Sequence, residues 1–148
     1  MTRAPLLLGT KTEGERAIRA AAVRIGLGVV LVLAPGLGRV LFGIPAAQDN
    51  GAVRLVGRLF GIRQLALGAW VLQAQGRGAD ERRVCYRVNL AVDSLDILAL
   101  AVAGATGEGL LQAAIMGSAL GASEALAWTV LLEDAAAEEP GGGSVALA

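Results

Sequence analysis

Four long apolar segments, separated by short polar connections, dominate the pattern along the chain. They cover residues 17–34, 53–73, 84–105 and 109–132. A helix that crosses a bilayer needs about 17–25 predominantly apolar residues, and each segment has that length. Pro35 and Gly36 break the first segment. We expect the apolar residues 36–44 that follow to form a short continuation at the membrane surface.

This pattern predicts an all-α integral membrane protein, folded as a four-helix up-down-up-down bundle over residues 17–132. Short connections make each helix antiparallel to the one before it. A soluble four-helix bundle is the alternative, but its helices would each show a polar face. The last two segments are apolar on nearly every side, which favours the membrane. Residues 1–16 are expected to be a flexible cytoplasmic arm, and residues 133–148 a disordered acidic tail.

The amino-acid composition excludes several kinds of catalytic and cofactor-binding site. The 148 residues are 55% hydrophobic and include no histidine and one cysteine. These counts exclude Ser-His-Asp catalysis, haem ligation by histidine and an internal disulfide. With 13 basic and 13 acidic residues the formal net charge is zero, which argues against a nucleic-acid partner. We therefore expect no nucleic acid, no metal and no cofactor.

The charges are divided unevenly between the two halves of the chain. Residues 1–87 contain all 13 basic residues and five acidic ones, whereas residues 88–148 contain eight acidic residues and no basic one. Antiparallel packing can bring the arginines of the first two helices against the acids of the last two. The two halves are therefore expected to be poorly stable apart.

Basic residues also predict the orientation. Nine of them flank one side of the predicted spans, against three on the other side. The positive-inside rule then places both termini of a multi-pass protein in the cytoplasm, in the cell membrane. Three aromatic residues fall near the predicted cytoplasmic helix ends, a depth that aromatic side chains prefer, and these are Trp70, Tyr86 and Trp128.

Several polar side chains fall inside the predicted spans, where each charge costs about 2.5–3.5 kcal/mol. The candidate intramembrane site comprises Arg24, Arg58, Arg63, Asn89, Asp93, Asp96 and Glu124. Matching depths across the turns predicts two layers. The middle layer places Arg58 and Arg63 with Asp93 and Asp96, and the layer nearer the cytoplasm places Arg24 with Glu124 and Asn89.

Small residues predict where helices approach closely. Gly57, Gly61 and Gly68 share a face of the second helix with Arg58, so we expect Arg58 rather than Arg63 to face the bundle interior. Gly117 and Gly121 belong to a small-residue stripe on the fourth helix, which is a candidate contact for an oligomer.

Two kinds of chemistry remain open for these acids. Asn89, Asp93 and Asp96 share one face of the third helix, an arrangement that in membrane prenyltransferases holds a cation bound to a diphosphate. Pairing of the carboxylates with arginines is the favoured interpretation, since arginines lie at matching depth. Glu124 is also a candidate proton-coupling carboxylate, like the glutamate of small multidrug exporters, although theirs lies in the first helix.

Two sequence elements resemble a family of small four-helix bacterial and fungal membrane proteins known as a domain of unknown function. The first is LAPGLGRVLFGIP at residues 33–45, and the second is RLFGIRQLALG at residues 58–68. Gln64 stands where the family carries an acidic residue. The resemblance implies the fold and a membrane location but no activity. Arginine makes up 12 of the 13 basic residues, a bias typical of high-GC bacteria.

We therefore expect an accessory or structural membrane protein with an intramembrane network of arginine, aspartate and glutamate. Its expected partners are the lipid bilayer and either a second copy or another membrane protein. A small-solute or proton-linked transporter that acts as an oligomer is the first alternative. A membrane-embedded enzyme that acts on a lipid or isoprenoid is the second.

Overall fold

The computed structural model describes residues 9–106 and 110–137, and within these ranges the protein is entirely helical, with no strand. Its five α-helices are α1 (Glu13–Leu33), α2 (Pro35–Leu41), α3 (Gly51–Gln75), α4 (Ala79–Ala105) and α5 (Leu111–Ala137). A short 3-10 turn, Ala46–Gln48, precedes α3. The break at Pro35 is confirmed: the proline stands at the start of α2, where its missing N–H costs nothing.

Both boundaries of the predicted membrane domain fall inside helices. Thr12 and Glu15 form a capping box in which each side chain accepts a hydrogen bond from the other residue's backbone N–H. This cap starts α1 at Glu13, so the expected flexible arm is helical over its last four residues. At the other end α5 continues to Ala137, so the first five residues of the expected acidic tail are helical too. Residues 1–8, 107–109 and 138–148 lie outside the described ranges, and the second of these includes most of the predicted turn between the third and fourth segments.

Three helices, α3, α4 and α5, are long and apolar enough to cross a membrane. The first helix is not among them. Its first twelve residues include five charged side chains, namely Glu13, Glu15, Arg16, Arg19 and Arg24. Segments two to four are therefore confirmed as helices that are long and apolar enough to span a membrane, whereas a membrane-spanning role for segment one stays a prediction.

The long helices associate in two antiparallel pairs, α1 with α3 and α4 with α5. Glycines allow the close approach in the first pair. A Cβ on Gly28 would lie 2.7 Å from the carbonyl oxygen of Gly61, and one on Gly68 would lie 3.1 Å from the carbonyl oxygen of Ala21. Gly61 and Gly68 therefore pack as predicted. Gly57 does not, because a Cβ there would meet no atom within 4 Å.

The small-residue stripe of α5 packs within the chain. A Cβ on Gly117 would meet Leu100 at 2.7 Å, and one on Gly121 would meet Ile97 at 3.0 Å, both on α4. These two glycines thus serve the packing of α5 against α4, and an oligomer contact through the stripe stays a prediction.

A buried hydrophobic core lies at one end of the described part of the molecule, where α1, α3, α4 and α5 meet. It comprises Ala17, Ala20, Ala21, Val71, Ala74, Cys85, Tyr86, Trp128, Leu131 and Ala135. We call this region the buried end. The rings of Tyr86 and Trp128 stack there with their centroids 6.1 Å apart. Both are fully buried, so they do not act as the interfacial aromatics expected from the sequence.

Candidate functional site

Arg24 occupies the centre of the most enclosed polar group in the described part of the chain. Its side chain is fully buried, yet it comes from α1 in the middle of an otherwise apolar stretch. One guanidinium nitrogen donates to the side-chain oxygen of Gln64 on α3, and the other donates to Asp93 on α4. That second nitrogen also lies 3.2 Å from Glu124 on α5. A single side chain thus joins four helices.

Trp128 completes this group. Its indole N–H donates to the same oxygen of Asp93 that accepts from Arg24, at 2.7 Å. Its ring centroid also lies 5.1 Å from the guanidinium carbon of Arg24, within range of a cation–π attraction. We call Arg24, Gln64, Asp93, Glu124 and Trp128 the Arg24 cluster. The roles of Gln64 and Trp128 were not predicted from the sequence, although both residues lie within the predicted spans.

Charge is unbalanced within the Arg24 cluster. One guanidinium faces two carboxyl groups, so the ionised cluster would carry a net charge of minus one. Two of its buried atoms have no hydrogen-bond partner among the described residues, the Nε of Arg24 and the Oε1 of Glu124. Because Glu124 is only 3% exposed, water does not solvate that oxygen in this conformation. An unpaired buried carboxylate oxygen is costly, which marks Glu124 as the least satisfied member.

Asn89 lies beside the cluster on α4 and is fully buried. Its amide nitrogen donates to the carbonyl oxygen of Cys85 at 2.9 Å and approaches the sulfur of Cys85 at 3.6 Å. Its side-chain oxygen has no hydrogen-bond partner within the part of the chain that the structure describes. Asn89 therefore turns along its own helix and does not bind Arg24, in contrast to the predicted layer that joined Arg24, Glu124 and Asn89.

A second ion pair joins α3 to α4. Arg63 donates through both terminal nitrogens to the two oxygens of Asp96, one of them at 2.8 Å. The guanidinium of Arg63 lies 4.5 Å from the ring centroid of Phe60. The two charged side chains are 35% and 25% exposed, so this pair is far more open than the Arg24 cluster.

The predicted layers are therefore confirmed in part. Arg24 pairs with Glu124 and Arg63 pairs with Asp96, as their depths indicated. Asp93 was placed in the wrong layer, because it pairs with Arg24 of α1. Arg58 was assigned wrongly to the interior: it is exposed and has no partner among the described residues.

The arginine partners also bear on the cation-binding interpretation. Asp93 and Asp96 are one turn apart, but each accepts hydrogen bonds from a different arginine. No free pair of carboxylates remains on this face of α4. The described residues contain no group of three or more cysteine, aspartate or glutamate side chains arranged to hold a metal ion. The arrangement in this conformation thus favours a structural role for both aspartates.

Polar contacts tie the helices together at the buried end as well. Glu13 at the start of α1 accepts from the hydroxyl of Tyr86 at 2.7 Å and from Arg82 at 3.1 Å. Gln75 at the end of α3 donates to the same hydroxyl at 2.9 Å. Arg16 of α1 pairs with Asp134 of α5. Sequence analysis did not predict these contacts, since it treated Glu13, Arg16 and Asp134 as parts of unstructured arms.

At the opposite end, Asp49 links the segment before α3 to its neighbours. Arg54 donates to both carboxylate oxygens of Asp49, at 2.8 and 3.1 Å, and Arg39 lies 3.7 Å away. The hydrogen bonds from Arg54, together with the positive charges of Arg54 and Arg39, lower the pKa of Asp49 below its usual value. These contacts fix the turn that leads into α3.

No protein-family model matches the chain, and neither do the curated proteins or the solved structures compared with it. Membership of the four-helix family that the two sequence elements resemble therefore stays a prediction.

Proposed function

We propose that this chain is an accessory or structural membrane protein, held together by the Arg24 cluster. In this proposal α1, α3, α4 and α5 form an up-down-up-down bundle across the cell membrane, and α2 lies at its surface. The observation that supports the proposal most directly is that the Arg24 cluster is buried away from solvent. Arg24 is fully buried, and Asp93 and Glu124 are 1% and 3% exposed. A transport path or an active site would have to reach these groups, and in this conformation solvent does not.

Energetics support the same role. A lone arginine at the centre of a spanning helix costs about 2.5–3.5 kcal/mol on insertion scales. Pairing with carboxylates of α4 and α5 offsets that cost only when all four helices are assembled. The cluster thus favours the complete bundle over partly assembled arrangements. Polar contacts that fix a single arrangement are a known use of buried charges.

Replacement of Arg24 tests the proposal. The variant Arg24→Met keeps an unbranched side chain, although a shorter one, and removes its charge, so two buried carboxyl groups are left without a cation. We expect a clear loss of folded, monodisperse protein after extraction from membranes in mild detergent. The matched control is Arg58→Met, since Arg58 is exposed and has no ion-pair partner in the described ranges. Equal yields and equal thermal stability of the two variants would show that the cluster does not hold the bundle together.

We further propose that both termini lie in the cytoplasm, because nine basic residues flank that side of the predicted spans in the sequence, against three on the other side. Cys85 cannot report the orientation by labelling because it is fully buried. Gly51 and Gly78 are suitable sites, because a Cβ at either meets no atom within 4 Å. In a Cys85→Ala background, a membrane-impermeant maleimide should label Gly51→Cys but not Gly78→Cys in intact cells. The reverse pattern would invert the topology.

A proton-linked transporter that acts as an oligomer is the second candidate, and the unpartnered Oε1 of Glu124 favours it. A carboxyl group that is buried without a full set of partners can exchange a proton when the protein opens. Purified protein in vesicles with an imposed pH gradient should then move protons, and Glu124→Gln should abolish the movement while leaving the protein folded. The lipid or isoprenoid enzyme has no comparable observation in its favour.

A further inference from the structure

A shallow cavity of about 390 Å³ lies at the end of α4 and α5, outside the Arg24 cluster. It is lined by Arg83 and Arg87 of α4 and by Leu132 and Ala136 of α5. One wall is therefore cationic and the other is apolar and small. This combination suits a molecule that has an anionic head and a hydrocarbon body.

Arg83 is held in place and forms the fixed wall. Its guanidinium donates to the carbonyl oxygen of Ala135 at 2.8 Å and lies 3.5 Å from Asp80. The side chain is only 15% exposed. Bonding to a carbonyl near the carboxyl end of α5 keeps Arg83 across the gap between the two helices, as expected for a cation at that end of a helix.

Arg87 is the available cation. It lies one turn further along α4, about 6 Å from Arg83 along the helix axis. It is exposed and has no partner among the described residues. Two acids at the same end of the molecule are already engaged: Glu81 pairs with Arg77, and Asp134 pairs with Arg16. The positive charge of Arg87 is thus left facing the cavity without a counter-charge from the described residues.

The depth of the cavity places it where lipid headgroups lie. With 27 residues, α4 is about 40 Å long, whereas the hydrocarbon core of a bilayer is about 30 Å thick. We assign the extra length of α4 to its amino end, because the charged residues Asp80, Glu81 and Arg82 lie there. An arginine side chain leans toward the amino end of its helix, so Arg87 extends toward the headgroups.

We propose that this cavity binds the headgroup of an anionic phospholipid of the leaflet that surrounds the buried end. The phosphate takes hydrogen bonds from the guanidinium groups of Arg87 and Arg83, and the acyl chains continue past Leu132. A zwitterionic headgroup is disfavoured because its own cation would lie against two arginines. The inference rests on the proposed membrane location but not on the orientation of the termini.

Competition between lipids tests this site. The full chain is purified in mild detergent with equal amounts of phosphatidylglycerol and phosphatidylcholine, and the retained lipids are counted by native mass spectrometry. We expect phosphatidylglycerol to be retained preferentially and Arg87→Gln to lower its retention about tenfold, the loss of one charge-assisted contact. Arg58→Gln, which removes an exposed arginine on α3, should retain the lipid as the unmodified chain does.

Three results would overturn the proposal: equal retention of the two lipids, equal retention by Arg87→Gln and Arg58→Gln, or displacement of the bound lipid by an equal concentration of inorganic phosphate. The last result would identify a site for free anions, since inorganic phosphate has no chain to pack against Leu132. Failure of the membrane proposal is seen separately and earlier, because the chain would not then be recovered in the membrane fraction.

Discussion

At Arg24 one guanidinium lies against two carboxyl groups, so the cluster has more acidic than basic groups. This difference determines how substitutions in the cluster should affect stability. Asp93 accepts hydrogen bonds from both Arg24 and Trp128. Glu124 has one contact with Arg24 and one oxygen without a partner. The two acids are equally buried, but they are not equally satisfied.

We therefore expect Asp93→Asn and Glu124→Gln to differ in their effects on stability. Asparagine at position 93 can still accept from both donors through one oxygen, but it removes the negative charge bonded to the buried guanidinium of Arg24 and leaves only the 3.2 Å contact with Glu124. The free energy of unfolding should therefore fall by about 3 kcal/mol. Glutamine at position 124 removes the excess negative charge, and the free energy of unfolding should change by less than about 1 kcal/mol. Denaturant unfolding in micelles measures both. A larger loss of unfolding free energy for Glu124→Gln than for Asp93→Asn would show that Glu124 is the better satisfied of the two acids.

Asp49 provides a residue-scale test at the other end of the molecule. Its pKa is lowered, so its ionised form stabilises the turn before α3 at pH values above the usual aspartate pKa. This contribution is lost as the pH falls through the lowered pKa. We expect Arg54→Gln to raise the pKa of Asp49 toward its usual value. A carboxyl ¹³C NMR titration in micelles measures the shift, and an unchanged titration would show that Arg54 does not control Asp49.

At the scale of helices, α3 shows why its packed glycines were predicted from the sequence whereas its inward-facing arginine was not. Its glycine stripe, continued by the buried Gln64, packs against α1, and this stripe was visible in the sequence. Arg63 lies on a different face, which meets α4. Because the sequence analysis assumed a single buried face on α3, it favoured Arg58 over Arg63. The packed stripe in fact begins at Gly61, and Arg58 lies before it.

The boundaries of α1 and α5 are a second feature that the apolar pattern did not predict. The apolar pattern ends near residues 17 and 132, but local polar contacts extend both helices. The capping box of Thr12 and Glu15 starts α1 early, and the pair between Arg16 and Asp134 fastens the last turns of α5 to α1. Such pairs join positions far apart in the chain, so hydropathy alone does not reveal them.

The close approach of α1 and α3 should make one glycine far more sensitive to substitution than another. In Gly28→Ala the new Cβ would lie 2.7 Å from a backbone oxygen, which cannot rotate away. We expect a loss of about 2 kcal/mol from overpacking. Gly57→Ala meets open space and should stabilise the helix by up to about 1 kcal/mol. Thermal unfolding followed by circular dichroism compares the two, and similar melting temperatures would contradict the α1–α3 contact.

For the whole molecule, two extensively packed pairs meet through a limited set of polar contacts and the buried end. Each pair is formed by two helices that approach closely through glycines, α1 with α3 and α4 with α5. Between the pairs, Arg24 contacts Asp93 and Glu124, and Arg63 contacts Asp96. The opposite charges of the two halves, visible in the sequence, are thus placed where the halves join.

This division predicts how the chain behaves when it is split at Gly78. Each fragment contains one helix pair, but the first fragment would bury Arg24 without a counter-charge and the second would bury two acids without a cation. We expect each fragment to be degraded when expressed alone and the two to co-purify when expressed together. Arg24→Met in the first fragment should abolish co-purification, whereas Arg58→Met should not. If the fragments were stable apart, or associated equally well with Arg24→Met, packing at the buried end rather than charge would join the halves.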